Sequence, residues 1–378
     1  MNTKSRNPRI CFLTPEYPPH EGGVARSAHR LVNGLYRAGF DVVVFTPLWP
    51  TQDLSTFTED NIVVHRIPFN QVSTLGVIDP VLDVIDHEEG RRPFDIFHGF
   101  TLMAAYACLC FPSKGNRPVV ASIRGIDGME FDDMTAEVIR RSNWFTSVSR
   151  DSLNRVMSVR DISDCSTVIS NGVDLRLFSP WRPTRNNRGV VGTVATFRDK
   201  KNIPLLIRSY ARLPVEIRKQ LLLVGESYYN NELSAEGRGP LNSVIEELGV
   251  TKEVEITGFV DNALVPEYHS RMRVFVLSSD HEGLPNAILE AAASGTPIVA
   301  TAVDGVKDIF TNGKDALLVE PGDVDQLTEA IKQTLTNNDL ARRLSKEARL
   351  LAARLSPEAE VGKYIEIYRH LLETNKNL

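Results

Sequence analysis

The chain has 378 residues, 42% hydrophobic and 24% charged, with a formal net charge of −5. That length exceeds one ordinary core, so two domains are expected, with the composition of a soluble globular protein. The acidic balance gives no electrostatic case for a nucleic-acid partner, and no apolar run approaches the roughly 18 residues of a membrane span.

Met1 to Arg9 is polar and runs straight into an apolar stretch, so no signal peptide is expected. Arg9 to Thr14 reads as a strand, and Pro15 to Gly23 as a Pro- and Gly-rich loop. Val24 to Ala38 is an amphipathic helix, with Leu31, Leu35 and Ala38 on one face and Gly39 as its stop. Asp41 to Thr46 is the next strand. This βαβ start predicts a doubly wound parallel sheet. Strands are expected at Ile62 to Ile67, Phe94 to His98, Pro118 to Ile123, Trp144 to Ser149 and Thr167 to Ile169. Helices are expected at Asp79 to Glu89, Thr101 to Phe111 and from Asp151. Phe178 to Arg188 holds two prolines and Trp181 and reads as a linker.

A second βα series opens at Val190 to Thr196. It continues through a helix at Ile203 to Arg212, a strand at Leu221 to Val224, a helix at Leu241 to Leu248 and strands at Val254 to Thr257 and Val274 to Leu277. Asp323 to Leu355 holds two helices. Pro357 to Leu372 is a last amphipathic helix, with Val361, Tyr364, Ile365, Tyr368 and Leu371 or Leu372 on its apolar face. The expected organisation is therefore residues 1–182, residues 183–356 and a C-terminal helix over 357–378. Cys11, Cys108, Cys110 and Cys165 show no C-x-x-C pairing and sit in apolar runs, so reduced thiols and a cytoplasmic compartment are expected.

The richest stretch runs from Ser278 to Thr301. A polar loop, Ser278 to Gly283, follows a buried strand, and a helical pattern over Leu284 to Ala293 is stopped by Gly295-Thr296-Pro297. Glu282 lies in the loop, where open α/β sheets bind ligands, and Glu290 about two turns into the helix. The two carboxylates can address one pocket at different depths, with amides at Leu284 and Asn286 suited to an anion. The alternative is that Glu282 caps a helix dipole and Glu290 is solvated surface. Gly22-Gly23 directly precedes the first helix and permits close backbone approach to an anion; a plain flexible turn is the other reading. Thr196 to Asn202 is a basic turn carrying Arg198, Lys200 and Lys201. His98 ends a strand, and Arg124 and Asp127 follow the next one, either as an anion site or as a structural ion pair.

Glu282-Gly283-Leu284-Pro285 through Glu290-Ala291, followed by Gly295-Thr296-Pro297-Ile298-Val299-Ala300, resembles the Glu-x7-Glu signature of retaining GT-B glycosyltransferases of the group 1, family 4 type. The resemblance covers nearly the whole chain. It implies an α/β GT-B architecture of two Rossmann-like, doubly wound domains facing a central cleft, with the final helix returning to the N-terminal domain. It also implies transfer of a sugar from a nucleoside-diphosphate sugar to an acceptor, with no essential metal and no other cofactor.

By the same resemblance Glu282, Gly283, Leu284, Pro285 and Asn286 meet the donor sugar and phosphates, and Glu290 meets the ribose. Gly22 and Gly23 meet the diphosphate region, and Gly258-Phe259-Val260 reads the base through its backbone. Lys201 falls in register with the family's diphosphate lysine, with Lys200 adjacent and Asn202 at a position usually held by Gly. Thr196 occupies the position of the family's Arg, and Arg198 stands two residues later. Phe100 replaces the second His of a His-x-His, leaving His98 as a catalytic candidate, while Arg124 and Asp127 are acceptor-side candidates. The acceptor is set by loops at Pro47 to Asp60, Asn70 to Asp79 and Gly125 to Thr135, which carry no recognisable code for a saccharide, a lipid-linked or a small-molecule acceptor. Residues 1–181 hold 18 Lys and Arg against 21 Asp and Glu, which gives no broad basic surface for anionic lipid. A nucleotide-sugar epimerase on the same fold and a non-catalytic GT-B binding subunit are the alternative readings.

Overall fold

The structure, a computed structural model, describes residues 6–19, 22–48, 57–59, 61–68, 74–124, 132–179, 190–229, 232–233 and 235–375. It divides into two compact units, one comprising Met1–Asn171 with Pro357–Leu378 and the other Gly172–Ser356.

The first unit begins β1 (Arg9–Leu13), α1 (Gly23–Arg37), β2 (Asp41–Pro47), β3 (Phe57–Glu59), β4 (Ile62–Ile67), α2 (Thr74–Arg91) and β5 (Ile96–Gly99). It continues α3 (Leu102–Cys110), β6 (Val119–Ile123), α4 (Asp133–Arg141), β7 (Trp144–Ser147), α5 (Arg150–Met157) and β8 (Ser166–Val168). The sheet order is β3-β4-β2-β1-β5-β6-β7-β8, parallel except for the β3–β4 hairpin. Alternation along β1 feeds two cores: Cys11 and Leu13 join one apolar cluster, while Ile10 and Phe12 join the other. The second cluster is completed by α1 and by the C-terminal helix Pro357–Asn375, through Val361, Tyr364, Ile367, Tyr368 and Leu371. Arg30 Nε donates to the buried Glu360 carboxylate at 2.6 Å, joining the same two helices. All four cysteines are free thiols.

The second unit runs β9 (Val190–Val194), α6 (Ile203–Ala211), β10 (Gln220–Val224), the short hairpin β11 (Tyr228–Tyr229) and β12 (Glu232–Leu233), and α7 (Gly239–Glu247). Then come β13 (Val254–Ile256), α8 (Val265–Arg271), β14 (Val274–Leu277), α9 (Asn286–Ser294), β15 (Ile298–Thr301), α10 (Asp304–Ile309) and β16 (Leu317–Val319). Two helices, α11 (Val324–Thr336) and α12 (Asn338–Ala352), close the unit. Its main sheet is wholly parallel, in the order β13-β10-β9-β14-β15-β16. Among the described residues, no helix is long and apolar enough to cross a membrane.

Both sheets have a switch point. In the first unit, β1 pairs with β5, and the chain order runs outward in opposite directions from that pair. In the second unit, β9 and β14 hold the same relation, with Val274 opposite Val191 and Phe275 opposite Gly192. Loops leaving the carboxyl ends of such a pair diverge and leave a crevice between them.

Several expectations need correction. Helix α9 starts at Asn286, not Leu284, because Pro285 is extended at φ −66° and ψ 134° and disfavours helix in the residue before it. The Leu284 amide is therefore not a helical first-turn donor, and Glu290 is only the fifth helical residue. Helix α2 begins five residues earlier than expected, at Thr74, and carries Pro80 inside it. The linker stretch is described only through residue 179, and Trp181 lies outside the described residues.

Candidate functional site

The second unit assembles a charged cluster at its switch point. The chain leaves β9 into a tight turn over Asp199–Lys201, and Asn202 ends it in the left-handed conformation, at φ 43° and ψ 50°. Asn tolerates that region better than most side chains, which explains how it stands where a glycine would serve. Asn202 has two further tasks. Its Oδ1 accepts from the Leu205 amide at 3.1 Å and caps α6, while its Nδ2 donates to Asp280 Oδ1 at 2.9 Å.

Two more bonds tie this turn to the loop that leaves β14. The Asp280 amide donates to Lys200 O at 2.9 Å, and Ser278 Oγ donates to Lys201 O at 2.9 Å. The result is a stitched seam between adjacent loops, on which the charged side chains of Lys200, Lys201 and Glu282 stand. Lys201 Nζ forms an ion pair with Glu282, and Lys200 Nζ lies 3.7 Å from the same carboxylate. Glu282 is only 7% exposed, so its charge is held by these two cations rather than by water.

The loop carrying Glu282 is fixed from below. Thr301 Oγ1 donates to Ser279 O at 2.6 Å. Gly305, in the first turn of α10, lies so close to Gly283 that a Cβ there would fall 1.2 Å from the Gly283 carbonyl oxygen. Only glycine permits that approach.

Glu290 is 5% exposed, so the solvated-surface alternative fails for it. Leu284 and Pro285 are buried, Gly283 and Asn286 half-buried, and Arg198 exposed at the start of the basic turn. Gly258 has φ 76° and sits beside a second ion pair, Arg238–Glu226. The Arg238 guanidinium holds the Glu226 carboxyl below its usual range. Phe259, next in sequence, is 51% exposed and offers an open ring face. The 226–238 pair had no readable sequence signal, because a hairpin intervenes. Asn202 and Asp280 were legible only in part: an Asn directly before Ile-Pro is an N-cap signature.

In the first unit, Gly22 caps α1 in extended backbone and Gly23 opens the helix, in the loop that leaves β1 at the switch point. Arg124 stacks 3.9 Å above the Phe100 ring, donates to Asn171 Oδ1 at 3.1 Å and reaches the Tyr364 hydroxyl at 3.4 Å. Asp127 lies outside the described residues.

The expectation for His98 is corrected. It lies in the core with no exposed surface, its Nδ1 bonded to Tyr368 Oη at 2.6 Å and its Nε2 to Ser122 Oγ at 2.8 Å. Burial, with the nearby Arg124 charge, lowers its pKa to about 3. A neutral ring with both nitrogens occupied joins β5 to the C-terminal helix and is not offered to a substrate.

Two doubly wound units, each with loops gathered at its switch point, make this an α/β chain of the GT-B fold. Sucrose-phosphate synthase from Thermosynechococcus elongatus has the same fold, with TM-score 0.85 and 19% identity over 97% of this chain and 100% of that one. So does HepE of Anabaena, described in complex with UDP and glucose, with TM-score 0.77 and 19% identity over 98% of this chain and 100% of that one. The profile described as glycosyl transferases group 1 matches residues 179–351, and that of glycosyltransferase family 4 matches residues 21–177. The chain belongs to this glycosyltransferase family. A curated relative is the lipopolysaccharide core biosynthesis glycosyltransferase LpsE of Rhizobium meliloti, 32% identical over 47% of this chain. The matched stretch spans about half of that relative's length, 49%.

Proposed function

We propose that the protein moves a sugar from a nucleoside-diphosphate sugar to an acceptor, with retention at the anomeric carbon and without an essential metal ion. The observation that carries this reading is Glu282 paired with Lys201 and Lys200 at the β9–β14 switch point. A diphosphate leaving group gains negative charge as the glycosidic bond breaks, and fixed cations stabilise that charge most in the transition state. Lys201 and Arg198 hold the diphosphate, with Lys200 beside them. A bound diphosphate draws Lys201 away from Glu282, and the freed carboxylate accepts from donor-sugar hydroxyls. Glu290 serves the ribose, and the Gly258–Phe259 turn the base. Gly22, Gly23 and Arg124 keep their donor and acceptor roles through the family resemblance.

Retention without an enzymic nucleophile follows a front-face course. The bond from the anomeric carbon to the diphosphate oxygen breaks, the acceptor oxygen bonds on the same face, and the acceptor proton passes to the departing phosphate oxygen.

The test is a thermal-shift panel of UDP, GDP, ADP, CDP and TDP sugars, with Mg²⁺ and with EDTA. HepE makes the uridine sugars the first to try. A ligand at about 100 times its Kd stabilises by roughly 2.7 kcal/mol. One nucleotide giving that shift equally in Mg²⁺ and EDTA supports the reading. No shift with any of them, or a shift that EDTA abolishes, sinks it.

A further inference from the structure

A groove of about 470 Å³ lies in the second unit, away from the charged cluster. Lys201 and Glu282 follow the carboxyl ends of β9 and β14. The groove is instead walled by the segments that enter strands, Met272-Arg273 before β14 and Thr296-Pro297 before β15, together with α12. It is therefore at the opposite edge of the same sheet.

Its charge is one-sided. Arg342, Lys346 and Arg349 stand at i, i+4 and i+7 of α12 and share one helix face, and Arg273 adds a fourth cation. Among the described residues no Asp or Glu lines the groove, in a chain whose net charge is −5. Arg273 donates to Asn338 Oδ1 at 2.7 Å, and Arg342 lies 3.8 Å from the exposed Asp339. Lys346 and Arg349 have no ion-pair partner among the described residues.

Cations here could simply answer the carbonyl end of α9. That need is already met in part, because Ser345 Oγ donates to Gly295 O at 2.6 Å. Gly295 itself, at φ 72°, lets the Arg349 stem lie against it, since a Cβ there would come within 2.8 Å of Arg349 Cδ. Behind this wall the His269 and Ser294 side chains, both at the groove, are buried polar groups with no hydrogen-bond partner among the described residues.

We propose that this groove binds a small soluble phosphate compound, at a site separate from the charged cluster. Four cationic residues along one groove, two of them without an ion-pair partner among the described residues, favour a ligand with several negative charges in a small volume. A phosphate or polyphosphate supplies those charges together with multiple acceptor oxygens for guanidinium and ammonium donors. The site does not depend on the sugar-transfer reading.

Tripolyphosphate is the probe, titrated calorimetrically into the wild type, Lys201→Ala and the double variant Lys346→Ala/Arg349→Ala. Lys346 and Arg349 are exposed, so the double variant is expected to melt with the wild type. The expected result is binding retained in Lys201→Ala and weakened about tenfold or more in the double variant, the scale of one or two lost charge-assisted hydrogen bonds. Equal affinity in the double variant and the wild type overturns the proposal. So does complete loss of binding in Lys201→Ala, or no binding to the wild type.

Discussion

His98 and Glu282 are both titratable groups at the carboxyl end of a strand beside a switch point, and the structure treats them in opposite ways. His98 lies within β5 itself, one residue short of its end, and is sealed between the sheet and the C-terminal helix. Glu282 lies five residues beyond β14, in a loop stitched to its neighbour, and is held by two lysines. One is neutral by desolvation, while the other has cations to support its charge. A strand-end position therefore does not by itself make a functional residue. What decides is whether the side chain falls within the ladder or in the loop beyond it, and whether its partners are fixed groups or groups a ligand can replace.

Substitution of each region should separate rate from stability. Lys201→Ala is expected to lower kcat for sugar transfer by about 100- to 1000-fold, the scale of losing one preorganised transition-state contact. His98→Ala is expected to cost about 3 kcal/mol of unfolding free energy, through a cavity, the loss of the Tyr368 hydroxyl's partner and the loss of one of the two bonds of Ser122 Oγ. Its rate per folded molecule should hold. Steady-state kinetics beside urea unfolding check both, and a His98 variant that folds normally but has lost turnover would erase the contrast.

The pH dependence is a finer test. The His98 pKa is about 3 in the folded protein against an ordinary value of 6.5. The unfolded chain thus binds a proton that the folded one refuses. His98 contributes its full stability above pH 6.5, and this is lost progressively as pH falls towards 3. His269, also lowered to about 3 by burial, adds in the same direction. Replacing His98 with Gln should flatten the unfolding free energy over that range by about 1.4 kcal/mol per pH unit. An unchanged slope would mean that His98 is not the proton-refusing group.

The smallest effect is expected for Tyr368→Phe, which removes one hydroxyl from His98 Nδ1 and should cost about 1 kcal/mol in thermal unfolding. A cost as large as that of His98→Ala would show that the helix contact, not the ring, dominates.

Much of this architecture was legible in the sequence. Apolar runs alternating with amphipathic helices gave two doubly wound halves, because buried parallel strands are short and continuous in character. The loop carrying Glu282 was legible from its polar residues and Gly283, and the helix after it from its stop at Gly295. The start of α9 was misplaced, because Leu284 fits the apolar period and only the geometry of Pro285 excludes it. The fate of His98 was hidden for a different reason. Its neighbours Tyr368 and Ser122 are 270 and 24 residues away in the chain, and no local pattern carries such a pairing. The β3–β4 hairpin did leave a trace in Asn61, whose φ of 66° is a common setting for Asn in tight turns.

The C-terminal helix has a consequence for how the protein is made. The first unit takes its opening strand from Arg9–Leu13 and its last packing face from Pro357–Asn375, and the whole second unit is encoded between them. During synthesis the second unit is complete while the first still lacks the surface that covers His98, Phe12 and Leu31. The nascent chain must therefore carry an uncovered apolar face until the helix Pro357–Asn375 leaves the ribosome. A product truncated before this helix would expose that face to solvent and to other unfinished chains.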